Sequence, residues 1–148
     1  MQRRRFFQNL IGIISIAIAI LSRYRIANAA DIPEMEFTRR FQQVFADQLI
    51  TDSDAIQFNL PTHAENGAVV PITISSHFED IDRLYLWADK NPTPLVAEFE
   101  LSKDVTVQIT ARIKLAESSQ VILIAQQGEH LLRKQQWVNV MQGGCGTG

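Results

Sequence analysis

The chain of 148 residues is near neutral overall, with 14 Lys and Arg against 16 Asp and Glu, but the charge is unevenly distributed. Five arginines and no acid precede residue 30, so the remainder carries nine basic and sixteen acidic side chains, about −7 with His neutral. An acidic chain without a basic stripe lacks the counterion-releasing footprint of a nucleic-acid binder, and the roughly 119 residues after position 29 suffice for one domain but not two.

Residues 1–9 hold Arg3, Arg4 and Arg5, and Leu10 to Leu21 is then almost wholly apolar. That order predicts a secretory signal over residues 1–29, with Ala27-Asn28-Ala29 as the small-x-small cleavage pattern and Ala30 as the first mature residue. The apolar run is too short for the ~20 residues a spanning helix needs, so no permanent membrane anchor is expected. Arg3-Arg4 followed by Arg5-Phe6-Phe7 resembles a twin-arginine signal, and Arg23 and Arg25 before the cleavage site agree with it. A plain basic leader on the Sec route is the alternative. Either leads to a bacterial periplasm.

Asp31-Ile32-Pro33-Glu34 reads as a helix start, with Asp as cap, Pro in the first turn and Glu three residues after the cap. Phe37, Phe41, Val44, Phe45 and Leu49 then recur on one apolar face, predicting a helix to about Ile50 that packs on its own domain. Thr51 to Asp54 reads as a polar turn. Its D-x-D spacing resembles a calcium loop, but Gln57 stands where that loop needs Gly and His63 where it needs Glu.

Beyond it, extended segments alternate with turn residues, near 55–60, 69–76, 81–87, 96–101, 105–114, 120–126 and 131–141. From Val105 to Leu115 apolar residues alternate with polar ones, the pattern of a strand with one buried and one wet face. Seven such strands predict a mainly β chain, an immunoglobulin-like two-sheet sandwich preceded by one N-terminal helix and spanning residues 30–141. Asn66-Gly67 is a strong turn signal, and Asn91-Pro92-Thr93-Pro94 forces a turning connection.

Catalytic constellations are absent from the sequence. His63, His77 and His130 are scattered without metal-ligand spacing, and there is no second cysteine, so no metal and no cofactor are expected. Glu79, Asp80 and Asp82 read as a solvated acidic loop. Trp87 and Trp137 read as core or interface anchors.

The last stretch, 142–148, is Gln-Gly-Gly-Cys-Gly-Thr-Gly and holds the single cysteine, Cys145, between Gly143, Gly144 and Gly146. Glycine has no Cβ and loses the most entropy on ordering, so this stretch is expected to be a flexible arm. From Met141 the extended chain reaches Cys145 over roughly 13 Å. In an oxidising compartment a lone thiol is a reactive group or an intermolecular partner.

Three stretches, Ala64 to Pro71, Trp87 to Pro94 and Gly143-Gly144-Cys145-Gly146, together resemble SoxY, the cysteine-bearing subunit of the Sox thiosulfate-oxidation carrier. The resemblance implies a sandwich fold, a heterodimer with a SoxZ-like subunit, and sulfur intermediates carried covalently on Cys145. It implies as further partners a haem-containing thiosulfate-coupling cytochrome, a sulfate-releasing hydrolase and a sulfane dehydrogenase, with the chain as carrier rather than enzyme. The family tail ends Gly-Gly-Cys-Gly-Gly, whereas Thr147, stiffer because β-branched, stands here second after the cysteine. The rival reading is a structural periplasmic sandwich using Cys145 for an intermolecular disulfide. A thiol enzyme is the third, and lacks a sequence-local base.

Overall fold

A computed structural model describes residues 32–78, 80–103 and 105–141. It consists of one helix, α1 (Ile32–Phe45), and nine strands: β1 (Ile50–Asp52), β2 (Ile56–Asn59), β3 (His63–Ala64), β4 (Val70–Ser76), β5 (Arg83–Ala88), β6 (Leu95–Glu100), β7 (Gln108–Ile113), β8 (Ser119–Gln127) and β9 (His130–Val140). One sheet has the order β1-β9-β8-β5-β6, with β3 also on β9, and the other has the order β2-β4-β7. The two face each other as the expected sandwich.

Each of the seven predicted strands is present. The two additional ones, β1 and β3, run parallel to β9 at its opposite ends, Ile50 against Leu131 and Ala64 against Val140. They are too short to carry a readable alternation of their own, and only pairing with β9 makes them strands.

Burial explains the layers. Strand β5 is apolar on both faces: Leu84, Leu86 and Ala88 join Ile56, Ile72, Ile74, Val121 and Leu123 between the sheets, while Tyr85 and Trp87 point the other way. That outer face needs a cover, and α1 supplies it through Phe37, Phe41 and Phe45. The Trp87 ring, fully buried, lies 6.0, 5.3 and 6.0 Å from those three rings, in edge and tilted geometries that favour aromatic pairs. The helix therefore packs on its own domain, as its apolar stripe predicts.

Its end differs from the expectation. Helix α1 stops at Phe45 because Ala46 turns left-handed at φ 47°, with its N–H bonded to the Gln42 carbonyl at 2.8 Å, an αL cap without the usual glycine. Leu49 consequently leaves the buried face and is 84% exposed, and Val44, still within the helix, is exposed as well. Thr51 and Asp52, expected in a turn, belong to β1. Asp52 accepts from Arg133 Nε at 2.7 Å and Asp54 pairs with Lys134, so these carboxylates face cationic side chains of β9. The Arg133 guanidinium holds the Asp52 carboxyl below the usual range. On α1, Arg39 and then Arg40 hold Glu36 at about 2.

The β8–β9 hairpin turns on Gly128 and Glu129, with Gln127 opposite His130. Gly128 has φ 59°, the value a II′ turn requires at its first central residue.

Candidate functional site

Cys145, Gly143, Gly144 and Gly146 lie outside the described residues, as do Arg3 and Arg4. What the fold positions is the place from which residues 142–148 depart, the end of β9. Strand β9 is the longest among the described residues and is held at this end from both sides. Val140 N–H donates to Ser118 Oγ at 2.9 Å, and Met141 N–H donates to the Ala64 carbonyl at 2.9 Å.

The two internal stretches that carry the resemblance meet here. From the first, Ala64 pairs with Val140, and the Gly67 carbonyl accepts from Leu115 N–H at 2.8 Å. A Cβ on Gly67 would come within 2.4 Å of the Leu115 carbonyl oxygen and 2.8 Å of Val140 Cγ1. Gly67 is thus required by close approach to the Leu115 backbone and to the Val140 side chain at the end of β9. The turn expected at Asn66-Gly67 is present, without a left-handed glycine: Asn66 Oδ1 accepts from Ala68 N–H at 2.9 Å.

From the second stretch, the buried Asn91 donates from Nδ2 to the Lys114 carbonyl and accepts at Oδ1 from Ala116 N–H, both at 2.8 Å. One amide side chain thereby satisfies a donor and an acceptor as a neighbouring strand would. Asp89 Oδ1 accepts from Gln120 N–H at 2.8 Å; burial pushes its carboxyl up, against the hydrogen bonds it receives. Lys90 pairs with Glu34 and so ties the first turn of α1 to this end of the sandwich. Sequence reading took Asn91-Pro92 for a turn only. An Asn with a following Pro signals a turn, but which carbonyl its amide meets depends on the long-range pairing of β5 with β8.

The remaining candidates do not gather. His63 is beside Thr62 at this end, His77 contacts Gln57, and His130 lines a different groove. That groove, of about 680 Å³ and lined by Gln48, Leu49, Phe78 and Gln126 to Leu132, lies at the opposite end of β9. Among the described residues no three His, Asp or Glu side chains form a metal-holding group. Trp87 is core, whereas Trp137, expected as core or interface, is 44% exposed.

A family model described as sulfur oxidation protein SoxY matches residues 41–145. The chain belongs to the SoxY family. The structure of the sulfur carrier protein SoxY from Chlorobium limicola f thiosulfatophilum superposes with a TM-score of 0.64 at 26% identity, covering 72% of this chain and 97% of that one. No curated protein matches the sequence. The SoxY match includes the whole sandwich and extends through Cys145, so the ordered root and the cysteine-bearing stretch fall within one family unit.

Proposed function

We propose that this protein is a covalent sulfur carrier of thiosulfate oxidation, with Cys145 as the attachment site. The observation that carries the reading is the family match that runs over the sandwich and ends on Cys145; the similar protein from Chlorobium limicola is titled a sulfur carrier. In the proposed cycle the Cys145 thiolate and thiosulfate together lose two electrons to a haem-containing cytochrome, forming an S–S bond and a cysteine S-thiosulfonate. Water then attacks the terminal sulfur in a hydrolase, releasing sulfate and leaving a persulfide on Cys145, which a sulfane dehydrogenase oxidises further. The chain supplies the attachment atom and the presenting surface, and the partner enzymes supply the chemistry.

The residue types suit this task. A free thiol has a pKa near ~8.5 and is only slightly ionised at neutral pH, so it waits until a partner's pocket activates it. Gly143, Gly144 and Gly146 keep the chain beside the sulfur thin enough for a narrow pocket. A SoxZ-like subunit is the proposed heterodimer partner, and the leader with Arg3 and Arg4 supports a periplasmic location reached by the twin-arginine route.

The test is Cys145→Ser. Thiosulfate-dependent electron transfer with all partners present is expected to vanish while the melting temperature stays within about 1 °C, because the substituted residue follows the last strand of the sandwich, which ends at Val140. Retained activity contradicts the carrier role.

A further inference from the structure

An arm that hands sulfur to enzymes must bring them to the body that holds it. From Met141, fixed to Ala64 by a 2.9 Å hydrogen bond, Cys145 reaches no more than about 14 Å. An enzyme whose pocket holds that sulfur therefore overlies the root of the arm. A standard interface of about 800 Å² per partner corresponds to a patch of about 16 Å radius, wide enough to include the last four residues of β9, about 13 Å of strand.

Within that patch stands Trp137. It is 44% exposed, although the domain buries its other tryptophan, Trp87, completely. Its strand neighbours on the same sheet face are amides, Gln135 and Asn139 two residues either way along β9 and Gln120 opposite on β8, with the imidazole of His63 beyond them in register with Asn139 on β3. Asp89, which adjoins Gln120, turns its carboxylate to the Gln120 N–H. In a domain of net charge about −7, an exposed indole whose immediate strand neighbours are all amides is a local exception. The indole N–H is already bonded to Asn139 Oδ1 at 3.0 Å, so a partner can bury the ring without having to supply an acceptor. Tryptophan at the centre of a patch ringed by adaptable amides is the composition of a binding hot spot.

We propose that Trp137, with Gln120, Gln135 and Asn139 around it, is the body contact on which enzymes acting on the Cys145 adduct dock. The partner face that fits is an apolar pocket with a hydrogen-bonding rim that meets these amides. The inference rests on the carrier reading and adds to it where the enzyme sits.

The experiment uses the full carrier with its SoxZ-like subunit, loaded with thiosulfate, and the sulfate-releasing hydrolase of the same source. Trp137→Ala is expected to raise the KM for loaded carrier at least about fivefold, the effect of losing one hot-spot side chain, with kcat unchanged. Trp137→Phe should fall between it and wild type. Leu49→Ala, a control at the far end of β9, should change nothing, and a loaded synthetic peptide of residues 140–148 should be turned over identically by hydrolase in every comparison. The carrier labelled with fluorotryptophan gives two fluorine resonances, one per tryptophan, and only that of Trp137 should shift when hydrolase is added. A KM for Trp137→Ala within twofold of wild type overturns the proposal. So does a Trp137 resonance that shifts on adding the SoxZ-like subunit alone, which would place the ring in that interface. Wild-type carrier that never loads refutes the carrier reading, and this proposal with it, before any variant is compared.

Discussion

Replacing Gly67 by alanine tests whether the root of the arm is held by close packing. The added methyl would sit 2.4 Å from the Leu115 carbonyl oxygen and 2.8 Å from Val140 Cγ1. A side chain could relieve the second contact by a small rotation, but the first is to backbone, so the 64–68 segment must move by about 1 Å to reach ordinary contact. That movement stretches the 2.8 Å bond from Leu115 N–H to the Gly67 carbonyl. Overpacking costs about 1–3 kcal/mol and the lost hydrogen bond about 1 kcal/mol, so Gly67→Ala is expected to destabilise by about 2–4 kcal/mol. For a domain of this size that lowers Tm by roughly 8–16 °C. Urea unfolding followed by Trp87 fluorescence gives the free energy, with the slope against urea unchanged if only the native state is affected. A loss below about 0.5 kcal/mol would refute the close-approach explanation and restore Gly67 as an ordinary turn glycine.

Two further predictions concern the cover over Trp87 and the arginine-bearing leader. Trp87→Ala removes the ring against which Phe37, Phe41 and Phe45 pack and should cost about 3–5 kcal/mol, with faster proteolysis of residues 32–45; a loss under about 1 kcal/mol would mean that α1 does not depend on that ring. Changing Arg3-Arg4 to Lys-Lys should stop export of the folded protein, as fractionation would show, and unimpaired export would assign the leader to the Sec route.

The two-sheet architecture was legible because its long strands carry their own signal: β5 and β8 are apolar on both faces, and β7 alternates. What escaped the sequence was set by partners distant along the chain. The residues of β1 read as helix end and turn because nothing local reports the parallel pairing of Ile50 with Leu131. Ala46 ends α1 in a left-handed conformation that alanine does not advertise. At the root, Asn66-Gly67 and Asn91-Pro92 were visible as turns. Their actual work, a glycine admitting the Leu115 carbonyl and an amide bridging Lys114 and Ala116, appears only once β8 and β9 bring residues 114–118 beside Val140. Both tryptophans read as core or interface residues, and which of the two faces solvent depends on what α1 covers.

The central claim is most directly tested by the intact mass of the protein after incubation with thiosulfate, the cognate cytochrome and an electron acceptor. The carrier account predicts one thiosulfate-derived addition located on Cys145, absent in Cys145→Ser and removed by a thiol reductant, because a cysteine S-thiosulfonate exchanges as a disulfide does. An unmodified Cys145 with all partners present, or a mass equal to two chains joined by a disulfide, would contradict it.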